Sequence, residues 1–190
     1  MVNTGKELID ICQKKNMKIW EYTIEQEVIS TEKSKEDIFK NMKKSFQVMK
    51  DAAECGVRHK VKSVSGLIGG DAYKLNEYCS QGKTLTGTFM VKAMARALSC
   101  SEINAAMGKI VAAPTAGSCG IIPATIITAG EKLNKSEDEL IQSLFTATGI
   151  GIIIAKNATM AGAEGGCQAE CGSASAMAYT RPLSARWWRI

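Results

Sequence analysis

Three short segments, each rich in Gly, Ser or Ala, interrupt an otherwise helical texture: residues 63–70 (SVSGLIGG), 113–120 (APTAGSCG) and 162–172 (GAEGGCQAECG). Segments with so little bulk serve one of two purposes. They let helices pack backbone to backbone, or they turn exposed N–H groups toward a bound anion. Close packing alone could account for any one of them. Three in one chain of 190 residues, two of them holding cysteine, point to a shared site.

The intervening stretches carry helical periodicity. Ser34 is placed to cap a helix whose apolar face is Ile38, Met42, Phe46, Met49 and Ala53, with Gly56 as a left-handed stop. Residues 8–11 and 20–29 suggest two further helices joined by the Lys-rich residues 14–18. Ser136 to Glu139 has the form of a capping box, and Leu140, Leu144 and Phe145 begin the stripe after it. Residues 88–98 form another short helix, with Phe89, Met90, Met94 and Leu98 near one side. Strand signals are confined to Ile121-Ile122 and residues 150–154, and sustained alternation is absent. The expected fold is mainly α, with Gly-rich loops forming the site.

Composition removes several function classes. One histidine, His59, excludes any site needing two histidines from one chain. The net charge of +5 is concentrated at the end, because residues 181–190 hold three of the five arginines and no acid. Lysines elsewhere are interspersed with acids, so no nucleic-acid footprint is expected. The opening residues are polar and do not form a secretory signal, and the apolar run 144–155 is too short to span a bilayer. A cytoplasmic protein with reduced thiols and no membrane partner is expected.

Of the seven cysteines, Cys12, Cys55, Cys79 and Cys100 show no ligand spacing and read as small core residues. Cys119 and Cys167 lie in Gly-rich segments where a thiolate could be approached. Cys167 and Cys171 are one helical turn apart and could face one metal. No pair has the two-residue spacing of a zinc ribbon, and no local set completes an iron–sulfur motif. None of the Gly-rich segments contains Gly-Lys-Ser/Thr, and their serines and Thr115 have no base beside them. Spacing alone therefore stops at a site containing Cys167, with Cys119 as a second possibility.

Three longer stretches resemble the α chain of the iron–sulfur-dependent L-serine dehydratases (L-serine ammonia-lyases). They are residues 63–72 (SVSGLIGGDA), 112–124 (AAPTAGSCGIIPA) and 156–170 (KNATMAGAEGGCQAE), in the family's order. The resemblance covers residues 1–178 and implies a helical catalytic domain of the serine dehydratase α-chain type. It implies a [4Fe-4S] cluster that activates L-serine for β-elimination to pyruvate and ammonia. It also implies substrate contacts from Ser63, Ser65, Gly66, Gly69, Gly70, Thr115, Ala116 and Gly117, and Cys167 as a cluster ligand. A serine dehydratase β chain is the implied partner, and the lack of an N-terminal regulatory-type domain suits that two-chain form. The catalytic base is not implied by any residue. A related L-cysteine desulfidase-like lyase and a non-catalytic helical fragment are the alternatives.

The match ends at the last residues. The family's other two cluster cysteines come from a later segment that this sequence lacks. Residues 179–190 instead form a basic, aromatic tail with Trp187 and Trp188. The expectation is a C-terminally truncated or frameshifted chain that cannot hold the cluster alone and has low stability.

Overall fold

Ser34 and Ser136 begin the two longest helices, each by accepting a hydrogen bond from a backbone N–H three residues on, Asp37 at 3.1 Å and Glu139 at 3.4 Å. At Ser136 the box is reciprocal, since Glu139 Oε2 accepts from the Ser136 N–H at 2.9 Å. The computed structural model describes residues 2–179, so the proposed tail, apart from Tyr179, lies outside the described residues. Among these are eight helices and no strand: α1 (Gly5–Lys14), α2 (Ile19–Thr31), α3 (Lys35–Arg58), α4 (Asp71–Ser80), α5 (Thr88–Ala105), α6 (Ile121–Lys132), α7 (Glu137–Asn157) and α8 (Gly162–Tyr179). The mainly α expectation holds. The β-branched runs at 121–122 and 150–154 lie inside α6 and α7, where tertiary burial outweighs their strand propensity.

The main core lies where α2, α3, α6, α7 and the end of α8 meet. Phe46 and Met49 of α3 pack with Ile122 and Ile126 of α6 and with Ile141 and Leu144 of α7. Phe145 stacks on Phe39 with ring centroids 6.0 Å apart. A smaller cluster of Val2, Leu8, Cys12 and Tyr22 fastens α1 to α2. Helix α7 has the length and composition of a membrane-crossing helix, but here its face of Leu140, Ile141, Leu144 and Phe145 is part of the core.

One sequence expectation is corrected beside α5, and α5 itself runs on to Ala105, past the expected end at Leu98. Gly56 does not stop α3, which continues to Arg58. Instead it marks the closest approach of α3 to α5. Ser99 Oγ donates to the Ala52 carbonyl at 2.5 Å and accepts from the Gly56 N–H at 2.8 Å, so a hydroxyl is inserted into the helical ladder. A β-carbon at Gly56 would lie 2.9 Å from that hydroxyl. The large side chains Phe89, Met90, Met94 and Leu98 share a side of α5, but that side is exposed. The buried residues are Val91, Ala95, Ser99, Cys100 and Glu102, with Ser99 at the contact with α3.

Helix α6 enters against α5 in the same manner. A β-carbon at Gly120 would run into the Ala97 backbone carbonyl, which cannot swing away as a side chain could. Gly120→Ala should therefore lower stability by about 1–3 kcal/mol in urea unfolding, the usual scale for overpacking. A second prediction concerns α7. Its Glu139 carboxyl is held down to about 2, chiefly by its hydrogen bond to Lys135 and then by those to the Ser136 N–H and hydroxyl. The folded value lies below the ordinary carboxylate value, so this contribution is complete above about pH 4.3 and disappears as pH falls toward about 2. Glu139→Gln should melt below the parent at neutral pH, and the gap should close over that acidic window.

Candidate functional site

Residues 63–70 close into a compact turn between α3 and α4. The Ser63 N–H donates to the Ile68 carbonyl at 2.9 Å, and the Gly66 N–H donates back to the Ser63 carbonyl at 2.9 Å. Ser63 Oγ accepts from the Ile68 N–H at 3.2 Å and lies 3.2 Å from Ser65 Oγ. Gly66, Gly69 and Gly70 all have positive φ. At Gly69 the requirement for glycine is doubled: φ is +138°, and a β-carbon would overlap the Val61 carbonyl. Ser63 is buried, whereas Ser65 and Gly66 face solvent.

The last turns of α5 hold this loop in place. The Val64 N–H donates to the Ala105 carbonyl at 3.1 Å. Glu102 Oε1 accepts the first two N–H groups of α4, from Asp71 at 2.6 Å and Ala72 at 3.1 Å. That carboxylate is 4% exposed, and its Oε2 has no hydrogen-bond partner among the described residues. A buried carboxylate at a helix N-terminus is favoured by the helix dipole and by the unpaired N–H groups it satisfies.

The same end of α5 reaches the second Gly-rich segment. Asn104 Nδ2 donates to the Ala116 carbonyl at 3.3 Å. Thr115 Oγ1 and Ser118 Oγ are 2.9 Å apart, and the Thr115 N–H donates to Ser118 Oγ at 3.4 Å. Ala116 and Gly117 are exposed, while Thr115 is half-buried. A β-carbon at Gly117 would sit 2.7 Å from Glu170 Oε2, and one at Gly162 would sit 2.7 Å from Glu170 Cδ. Glu170 of α8 thus lies between the second and third Gly-rich segments. The three segments form one connected arrangement running from residue 63 through Glu102, Asn104 and Ala105 to Gly117, Glu170 and Gly162.

Cys167 is not in a turn, as its setting suggests. It follows a kink at Gly166 (φ 75°, ψ 175°) and opens the regular part of α8. Its Sγ lies 3.8 Å from Cys171 Sγ; Cys167 is exposed and Cys171 half-buried. The hydrogen bond to Cys167 is the main cause pushing the Cys171 thiol up, followed by burial and by the charges of Cys167 and Glu170. Cys119 is enclosed in the core. It is 2% exposed, its Sγ lies 3.7 Å from the Cys100 carbonyl, and burial pushes its thiol up. Burial and the neighbouring Cys119 likewise raise Cys100 to about 12. These are core thiols.

The described residues contain no group of three or more His, Cys, Asp or Glu able to hold a metal. Cys167 and Cys171 supply two sulfurs in contact, short of the three or four thiolates that a four-iron cluster takes. A complete cluster site therefore does not fit the described residues. An apolar cavity of about 400 Å³, lined by Met42, Met49, Leu144, Met160 and Met177, has no charged lining and is bounded on one side by Ala113 and Pro114 of the second Gly-rich segment.

Sequence reasoning missed Glu102 and Glu170. Glu102 has no sequence signal, since nothing local announces that its helix will meet the start of α4. Glu170 had one, being an acid three residues after Cys167 in a Gly- and Ala-rich segment whose one other acid is Glu164.

A family model described as "Serine dehydratase alpha chain" matches residues 14–181. The chain is 47% identical over 178 residues to "Probable L-serine dehydratase, alpha chain" of Bacillus subtilis (strain 168), covering 94% of this chain and 59% of that relative. It is 46% identical over 178 residues to "L-serine dehydratase, alpha chain" of Peptoniphilus asaccharolyticus, covering 94% and 61%. "L-serine dehydratase" of Helicobacter pylori (strain ATCC 700392 / 26695) is 32% identical over 190 residues, covering 93% and 39%. The chain thus spans about three fifths of the length of the two alpha-chain relatives.

Two substitutions separate scaffold from site. Glu102→Ala should cost about 1–3 kcal/mol in urea unfolding, because two helix-terminal N–H groups lose their acceptor. Amide exchange at Asp71 and Ala72 should rise more than at the rest of α4. Gly117→Ala meets only the far end of a flexible side chain, so stability should change by less than about 1 kcal/mol. Its expected mark is a displaced Glu170 carboxylate, read from the chemical shift of its Cδ.

Proposed function

Because this chain belongs to the serine dehydratase alpha chain family, we propose that it is the α component of an L-serine ammonia-lyase. The reaction removes the α-proton and the β-hydroxyl of L-serine, and the enamine product hydrolyses to pyruvate and ammonia. The observation that carries this reading is the convergence of the three Gly-rich segments on α5 and Glu170. Close packing explains the glycines but not the exposed Ser65, Gly66, Ala116 and Gly117, which leave polar turns open to solvent.

Each half of an amino-acid zwitterion finds a counterpart in this arrangement. The turns containing Ser63, Ser65, Gly66, Gly69 and Gly70, and Thr115, Ala116 and Gly117, offer to a carboxylate their hydroxyls and the N–H groups not spent inside the turns, as those of Ser63, Gly66 and Thr115 are. Glu170 offers a carboxylate suited to the α-ammonium group. A [4Fe-4S] cluster is part of the proposal, with Cys167 as one ligand and the remaining thiolates contributed from outside the described residues.

The names of the two similar alpha-chain relatives speak of a multi-chain enzyme, and a β chain is the proposed companion here. The exposed stripe of Phe89, Met90, Met94 and Leu98 supports it, because apolar side chains grouped on one helix face gain free energy when a partner covers them.

The test is anaerobic reconstitution with iron, sulfide and a β chain, followed by serine-dependent pyruvate release. It is run on this chain and on this chain joined to the remaining C-terminal part of the Peptoniphilus α chain. Pyruvate from either supports the reading; pyruvate from neither overturns it. Faster turnover of L-cysteine than of L-serine would transfer the assignment to a desulfidase. In the active form, Glu170→Gln should lower kcat/KM for serine about ten- to a hundredfold, the loss expected for one charge-assisted hydrogen bond.

A further inference from the structure

The geometry points to a reversible redox-modification site at Cys167 and Cys171, where the two thiols close into a disulfide. The two sulfurs already touch at 3.8 Å, and the pair is accessible through the exposed Cys167. Residues four apart on a helix have Cα atoms about 6.2 Å apart by helix geometry, inside the range that disulfides span. Their β-carbons, about 5–6 Å apart on a regular helix, must close to about 3.5–4.5 Å.

Glycines, the residues with the least restricted backbone, flank the pair: Gly166, at φ 75°, immediately before Cys167 and Gly172 immediately after Cys171. Cys167 lies in the first turn after the kink, where N–H groups lack intrahelical acceptors, so tightening that turn sacrifices few hydrogen bonds. The other five cysteines offer no comparable pair. Cys12, Cys79, Cys100 and Cys119 are buried, and Cys55 is half-buried on α3.

The oxidant is a peroxide. The Cys167 thiolate attacks one oxygen of hydrogen peroxide, the O–O bond breaks, and hydroxide leaves to give a sulfenic acid at Cys167. Cys171, giving up its proton, then attacks that sulfur; the S–S bond forms and the sulfenic oxygen departs as water. Two thiols and one peroxide become one disulfide and two waters, and a dithiol reductant reverses the change.

The experiment uses the purified full chain, reduced and metal-free, treated with stoichiometric hydrogen peroxide. Peptide mapping should show the segment after Lys156, which contains Cys167 and Cys171, about 2 Da lighter, and a dithiol should restore its mass. In Cys171→Ser the same segment should instead gain oxygen at Cys167 or be trapped by a sulfenic-acid reagent. Oxidation of the parent to sulfenic or sulfinic acid without the bond, or mainly to linked dimers, overturns the proposal.

Discussion

A carboxylate buried to the extent of Glu102 must be met by hydrogen-bond donors, or its desolvation would oppose folding. The donors it finds are the first two N–H groups of α4, which have no acceptors within their own helix. One contact therefore answers two demands, and its position decides where the chain between α3 and α4 can run. Residues 63–70 are left as a short closed turn with its ends fixed, and the Val64 N–H completes the attachment to Ala105. Asn104 of the same helix reaches Ala116 of the second Gly-rich segment. The arrangement of both loops follows from the last turns of α5.

Close packing and function are not competing accounts of the small residues here. Gly56 and Gly120 are where α5 meets α3 and α6 too closely for a β-carbon, and neither faces the site. Gly117 and Gly162 instead leave room for the carboxylate of Glu170. The first pair positions α5, and α5 positions the loops that the second pair helps to open. The scaffold contacts are backbone against backbone and tolerate no added bulk. At the site they involve a flexible side chain, which leaves freedom for a ligand to be accommodated.

Much of the fold was legible in the sequence because its signals are local. Ser34 and Ser136 cap through residues three positions away, and the apolar face from Ile38 to Ala53 requires only helical spacing. Local signals failed where a distant element decided the outcome. Gly56 resembles a helix stop until Ser99, 43 residues later, is found against it. Spacing places Phe89, Met90, Met94 and Leu98 near one side of α5, and only the tertiary structure leaves that side exposed. Cys119 and Cys167 both lie beside glycines in the sequence; one is enclosed by α5 and α6, and the other is left open at a kink.

The family and the three segments that identify it are properties of the amino-acid order, since each motif is contiguous. Helix positions and caps are likewise set by contacts a few residues apart. Which small residues face a site, which carboxylates stand beside them, and which cysteines can be reached were decided only when α5 and α8 packed against the rest. Glu102 with Ala72, and Gly117 with Glu170, are separated by 30 and 53 positions along the chain. No periodicity reaches across such distances. Only the burial of apolar faces brings those residues together, and it does so without regard to their chemistry.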